Sequence, residues 1–493
     1  MVYRGKPSRS CRECRRRDIK CDKKPNGCSQ CSRAAIQCSR YPDPTQLIIY
    51  DETKSTINKR QKRKAPLNRS SPLPDPLSIV LLPSWETRAK RLFISQYVTD
   101  SHETNLFSYM RVFYPPQEGQ SPLLETVIRS VWLAFYSFSH QSPVALHDAR
   151  VNYGSALLLT TNAIQSPVEV NENRTLMSLL LLTVYERLIN YGERNLSPPS
   201  NAHLRGALGL AVYQGDSQFS DPIRINILLG LVELIIIECL AHELDMPSDL
   251  LMLSSKVFGN VVASAPKWQF LKVLLEYAQL KERLRLGISS EAAISWAERL
   301  GCELEGLSQH LRPVTSTRQN GKRLHAYIAE SSVSYPDNNT RRSWNNLRVL
   351  RMLLADVIRE QCAVSLGSSD ITRTTAIIEK LHDSTLTINT LCSDIYASAS
   401  ESSTAVLASE NVSDLQTSTL FFQLYAANSC RVISDQLQKL LQKRLQSLSV
   451  GQFSGVRRLM TQLLQETDNC QPNLWQAWLR LGKERFSIDT SII

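Results

Sequence analysis

No run of about eighteen predominantly apolar residues occurs in the sequence, so no segment is fit to span a bilayer. The greasiest stretches, Leu176–Tyr185 and Ile225–Val232, are short and stop at Glu186 and Glu233. The first residues, MVYRGKPSRSC, lack an apolar core, so export is not expected. Triplets such as Asn173-Arg174-Thr175 therefore have no secretory context. Catalytic signatures are missing too: there is no G-x-S-x-G, no P-loop and no dinucleotide fingerprint. His242-Glu243 begins like a zinc-protease helix, but Met246 stands where the second histidine would be needed. The eight histidines show no ligand spacing. These absences predict a protein that is neither a membrane protein nor an enzyme.

What is present is unevenly distributed. Residues 1–70 hold 19 Lys and Arg against 6 Asp and Glu. The whole chain totals +11, so the remaining residues carry a net −2. A strongly basic end on a nearly neutral body is the charge pattern of a nucleic-acid-binding head, although a basic tail would share it. At 493 residues the chain predicts roughly two to four folding units.

Twelve cysteines divide evenly. Six stand singly at 239, 302, 362, 392, 430 and 470, as expected of free, reduced, buried thiols. The other six repeat one half-motif: Cys11-x2-Cys14-x6-Cys21, a six-residue loop, then Cys28-x2-Cys31-x6-Cys38. A two-residue gap lets both thiolates face one ion, which suits tetrahedral zinc. Six ligands exceed what one such ion takes, and two ions need eight contacts, so two thiolates must be shared. The first cysteine of each half, Cys11 and Cys28, is the natural bridge. A disulfide framework would require export, and a redox C-x2-C would sit beside a βαβ pattern that is not visible. A single four-cysteine site would leave two members of a perfect repeat idle. The only apolar residues between the cysteines are Ile19, Ala34, Ala35 and Ile36, so burial cannot offset the entropy of ordering the segment. Two zinc ions, at roughly 10–16 kcal/mol of apparent binding energy per site, can.

The run SCRECRRRDIKCDKKPNGCSQCSRAAIQC resembles the binuclear zinc-cluster domain of fungal transcription regulators. The six cysteines carry the resemblance, with Arg15, Arg17 and Lys20 in the first loop, Asp22 after Cys21, and Pro25 between the halves. It implies two short helices, each following a C-x2-C pair, with Arg15 to Lys20 forming the helix that enters the major groove of double-stranded DNA over a CGG-like half-site. It also implies a nuclear protein regulating RNA polymerase II transcription through the transcription machinery, in this family often of metabolic or secondary-metabolite genes. The side chains agree. Arg15, Arg16, Arg17 and Lys20 concentrate charge suited to guanine O6 and N7. Lys23, Lys24 and Arg33 suit backbone phosphates. Asp18 stands where many relatives carry a basic residue; it can accept from cytosine N4 or form a local salt bridge.

Residues 39–83 contain seven prolines (42, 44, 66, 72, 74, 76, 83) and no helical period, which predicts a flexible linker. Within it Lys59, Arg60, Lys62, Arg63 and Lys64 form a basic run suited to nuclear import, to extra phosphate contact, or to solvation alone. The prolines forbid a coiled coil directly after the cluster, so a homodimer would have to form elsewhere. The stripe Ile433, Leu437, Leu440, Leu441, Leu445, Leu448 could serve, but reads first as a core-facing helix.

From residue 84 to 493 the pattern is helical. Leu176, Leu179, Leu180, Val184 and Leu188 share one face, and 223–243 and 349–363 behave alike. Breakers fall at Pro198-Pro199, Asn320-Gly321 and Pro336-Asp337-Asn338-Asn339, and Ser/Ala-rich 396–414 reads as a mobile loop. The stretch HLRGALGLAVYQGDSQF (203–219) resembles the fungal regulatory region, with His203 better read as a satisfied core or capping residue than as a sensor. The expected fold class is all-α: a metal-stabilised two-helix zinc-cluster domain (1–40), a linker (41–83) and a helical regulatory domain (84–493). The competing function is a zinc-stabilised protein–protein adaptor that touches no DNA.

Overall fold

The computed structural model describes residues 10–39, 41, 84–97, 122–192, 201–260, 266–311, 315–318, 331–335, 338–366, 371–400, 414–449, 455–467 and 473–481. The predicted linker beyond Tyr41, the basic run 59–64, and the breakers at 198–199 and 320–321 lie outside these residues. The chain divides into two compact units, Met1–Leu81 and Leu82–Ile493.

Among the described residues of the first unit the regular elements are two five-residue helices, α1 (Arg12–Arg16) and α2 (Ser29–Arg33). Among the described residues of the second unit the regular structure is helical apart from one short antiparallel pair, β1 (Thr315–Arg318) with β2 (Ser331–Ser334), in which Thr315 faces Ser334. These strands read TSTR and SSVS, so they carry no apolar alternation by which a sequence would betray them. The helices are α3 (Trp85–Tyr97), α4 (Pro122–His140), α5 (Pro143–Gln165), α6 (Asn173–Gly192), α7 (Ala202–Tyr213), α8 (Pro222–His242), α9 (Ser248–Asn260), α10 (Pro266–Arg285), α11 (Ser290–Ser308), α12 (Asn338–Leu366), α13 (Ile371–Ser400), α14 (Asp414–Asn428), α15 (Asp435–Ser449), α16 (Gly455–Thr467) and α17 (Leu474–Leu481).

Local chemistry fixes the boundaries. Asp221 caps α8 by accepting from the Ile223 N–H at 2.9 Å, and Pro222 supplies the pre-set first-turn φ. Ser142 with Pro143 starts α5, and Ser289 starts α11. Three expectations are corrected. Cys302 on α11 is an exposed thiol, whereas Cys239, Cys362, Cys392 and Cys430 are buried. Asn338 and Asn339 belong to the first turn of α12, because an amide side chain at a helix start is not a breaker. Residues 396–400 continue α13, with Ser398 and Ala399 fully buried; small residues there permit close packing.

α8 is buried on nearly every side, which makes it the centre of the unit, with α6, α7, α9, α10 and α17 packed around it. The Trp478 ring of α17 meets Phe422 of α14 edge-on at 4.6 Å, closing the core over α8. Leu437, Leu441, Leu445 and Leu448 of α15 are buried in the same core, so the leucine stripe is spent on packing. Among the described residues no helix is long and apolar enough to cross a membrane.

Several polar groups packed into this core are paired, whereas others, the Ser178 and Tyr425 hydroxyls among them, have no hydrogen-bond partner among the described residues. His203 opens α7 with its Nε2 3.2 Å from Tyr153 Oη and 3.2 Å from Glu186 Oε1, while Tyr153 donates to Glu186 at 2.8 Å. It is a satisfied interior histidine. Arg187 of α6 donates to Glu238 of α8 at 3.2 Å, both buried. Removing one partner strands a charge away from water. Arg187→Met is therefore expected to cost about 3–5 kcal/mol of body stability, with much of it restored in Arg187→Met/Glu238→Met. Denaturant midpoints of the two variants check this.

Candidate metal centre and DNA-reading helix

Each half of the cluster is built by the same local rule. Cys11 precedes α1 with extended backbone, and its sulfur accepts from the Cys14 N–H at 3.4 Å. Cys28 does the same for α2, accepting from Cys31 at 3.4 Å. Sulfur thus stands in for the usual Ser or Asp cap. The helices begin directly after the first cysteine and include the second, rather than following the pair.

Each helix also ends by the same rule. The Ile19 N–H reaches back to the Cys14 carbonyl (3.1 Å) and the Asp18 N–H to Arg15 (3.3 Å). In the second half Ile36 bonds Cys31 (3.0 Å) and Ala35 bonds Ser32 (3.1 Å). Both are Schellman endings, and their left-handed residues are Asp18 (φ 52°) and Ala35 (φ 53°). The expected helix from Arg15 to Lys20 is therefore corrected. α1 is Arg12–Arg16, Arg17 closes it, and Lys20 lies beyond the reversal. The reversal returns the chain to the cluster for the third cysteine, which an unbroken helix could not do.

Two braces cross between the halves. Asp22, the residue after Cys21, accepts from the Ser29 N–H of α2 through both oxygens, at 3.0 and 3.2 Å. Ser39, the residue after Cys38, accepts from the Arg12 N–H of α1 at 3.2 Å and donates to Glu13 at 2.6 Å. These bonds hold the Glu13 carboxyl down at about 2, and hydrogen bonds from Ser29 lower Asp22. The linking loop turns through Pro25, with the Gly27 N–H on the Lys24 carbonyl at 3.1 Å. Tyr41 donates to the same carbonyl at 2.6 Å and packs on the cluster.

The braced frame brings all six sulfurs together. Cys11, Cys14, Cys21 and Cys28 form one set with ligand atoms within 4.8 Å of one another, and Cys11, Cys28, Cys31 and Cys38 form a second. Cys11 and Cys28 belong to both. Sulfur separations are 3.7 Å for Cys11–Cys28 and Cys11–Cys31, 3.5 Å for Cys14–Cys28 and 4.0 Å for Cys38–Cys28. Tetrahedral zinc with Zn–S of about 2.3 Å places neighbouring sulfurs about 3.8 Å apart, so the cradle has the right size. All six are free thiols, five of them buried. Burial raises Cys11 and pushes Cys14 up to about 12; the adjoining Cys28 sulfur and burial raise Cys31. Zinc takes thiolates as ligands, so metal uptake at the thiols held up by burial expels protons.

Residues 9–47 match the fungal Zn(2)-Cys(6) binuclear cluster domain. A domain of this kind binds two zinc ions and serves fungal transcription regulators as their DNA-binding module. No curated protein and no solved structure matched the chain at a significant level.

Around this zinc-cluster domain the cations lie outward. Arg15, Arg16, Arg17, Lys20, Lys23, Lys24 and Arg33 are all exposed. Arg15 and Arg16 occupy the last turn of α1, with Arg17 as its cap, so the charge gathers at the carboxyl end of the helix. The amino end is closed by the sulfurs and Ser39. Asp18 is exposed and, among the described residues, forms no ion pair, so the local salt bridge is not formed. The φ of 52° at Asp18 lies in the left-handed region, which Asp enters more readily than most residues. Nothing in the sequence pattern pointed to Glu13, Ser39 or Tyr41, whose partners lie 26, 26 and 17 positions away.

The body offers a half-open cleft of about 1030 Å³ between α8, α10 and α14–α17, with Lys281, Asn428, Gln438 and Trp475 among its walls. His242 of the broken protease-like pattern sits 4.0 Å from Glu238 on its own helix.

Proposed function

We propose that the protein is a sequence-specific transcription regulator that reads DNA through α1. Cys11, Cys14, Cys21 and Cys28 hold one zinc ion and Cys11, Cys28, Cys31 and Cys38 the other, with Cys11 and Cys28 bridging. The observation that carries this reading is the pair of interlocked sulfur sets at the root of a helix whose free end is cationic. Zinc here does no chemistry; it supplies rigidity. Arg15, Arg16, Arg17 and Lys20 reach base edges in the major groove of a CGG-like half-site, where Arg pairs with guanine through O6 and N7. Lys23, Lys24 and Arg33 neutralise phosphates. The protein acts in the nucleus on RNA polymerase II transcription, and the run Lys59, Arg60, Lys62, Arg63, Lys64 directs import. Residues 1–40 form the reading head, 41–83 the linker and 84–493 the regulatory body.

A randomised-duplex selection tests the reading. An enriched triplet is expected, and its absence favours the adaptor role. Affinity for the selected site should fall with salt at a log–log slope of about −0.9 per phosphate neutralised. Arg17→Ala should cost about 1–3 kcal/mol on that site and relax one base position, whereas Lys24→Ala should weaken all sequences alike and flatten the slope by about 1. A slope near zero for the parent protein would sink the proposal.

A further inference from the structure

We infer that Asp18 is a specificity-determining residue whose carboxylate accepts a hydrogen bond from cytosine N4, fixing cytosine at one position of the site. The inference rests on α1 being the DNA-reading helix.

The carboxylate stands at the tip of that helix. Asp18 is the residue at which α1 reverses, between Arg17 and Lys20, at the end that the sulfurs and Ser39 leave uncovered. Nothing in the fold requires it. Ala35 holds the equivalent place in the second half with the same backbone angle, 53° against 52°. A side chain without any carboxylate therefore closes the same turn. Asp18 stands among the exposed cations Arg15, Arg16, Arg17 and Lys20 yet, among the described residues, forms no ion pair with any of them. A carboxylate that the fold neither pairs nor needs points to a role outside the folded chain.

Hydrogen-bonding capacity defines the role. Arg15, Arg16, Arg17 and Lys20 are donors only, able to read guanine but unable to accept from a base. Asp18 is the one acceptor side chain among them. A phosphate would repel it, so its place on a polyanion is against a base amino group, and cytosine N4 is the donor suited to Asp. The two other carboxylates among the described residues of the head are occupied, Glu13 by Ser39 and Asp22 by Ser29.

The test compares selections with the full-length, zinc-loaded protein, Asp18→Asn and Asp18→Gly, after metal analysis shows two zinc ions in each. Glycine suits the left-handed angle, so this variant keeps the turn. The parent should prefer cytosine at one column by roughly fivefold or more. In Asp18→Gly that column should flatten while the others persist, and binding to unrelated duplex should tighten because a repulsive charge is gone. In Asp18→Asn the column should shift towards adenine. Identical motifs from the parent and Asp18→Gly overturn the inference while leaving the proposed function standing. A parent that enriches no sequence overturns the proposed function itself.

Discussion

Stripping zinc should abolish DNA binding and unfold the head while leaving the body intact. Among its described residues the head has almost nothing else to hold it: five of the cysteines are buried, with Cys38, Ile19 and Tyr41 only partly covered. Roughly 10–16 kcal/mol of apparent binding energy per site exceeds anything that two five-residue helices and two surface braces can supply. The body has a continuous apolar core built on α8 and, among its described residues, no cluster of metal ligands. The chain carries its own control, since all seven tryptophans lie at or beyond residue 85. Chelation should therefore eliminate specific binding and release two zinc ions per chain without moving the tryptophan emission. If the head amides stay protected from hydrogen exchange after complete chelation, metal is not what folds it.

The parts of this head that the sequence disclosed are those in which one residue type has one dominant use. Cysteine spacing is such a signal, because ligation needs sulfurs at fixed intervals whatever lies between. The extent of α1 was not legible. Its cap is a cysteine sulfur, outside the residue types that usually mark helix starts, and its end is set by the need to bring Cys21 back to the cluster. The braces were hidden for a different reason. Ser39 meets Glu13 across 26 positions, and no local pattern encodes a contact that exists only once metal has folded the chain around itself. In the body, apolar periodicity announced α6, α8 and α15 correctly, since burial selects Leu and Ile at helical intervals. It failed at 396–400 and 338–339, where composition suggested loops. Ser398 accepts from Asn345 at 2.7 Å in the interior, so a polar residue there belongs to a buried network instead of a surface turn.

The two cysteines shared by both sulfur sets should be far more costly to lose than the other four. Cys11 and Cys28 each belong to both sulfur sets, and each caps a helix through the N–H of the next cysteine in its pair. Substituting either leaves two ions with three thiolates each and uncaps a helix besides. Cys38 belongs to one set only, is the least buried of the six, and lies 4.0 Å from its neighbour Cys28. Cys38→Ala should therefore retain close to one tightly held zinc ion in the intact Cys11, Cys14, Cys21, Cys28 set, with DNA binding weakened but measurable. Cys11→Ala and Cys28→Ala should retain neither ion after dialysis against a weak chelator and should show no specific binding. Losing a closed four-thiolate site removes roughly 10 kcal/mol or more, so the two classes should separate cleanly in metal content. Equal zinc loss in Cys11→Ala and Cys38→Ala would mean that the shared thiolates are not those two, and the geometry of the head would have to be drawn around a different bridge.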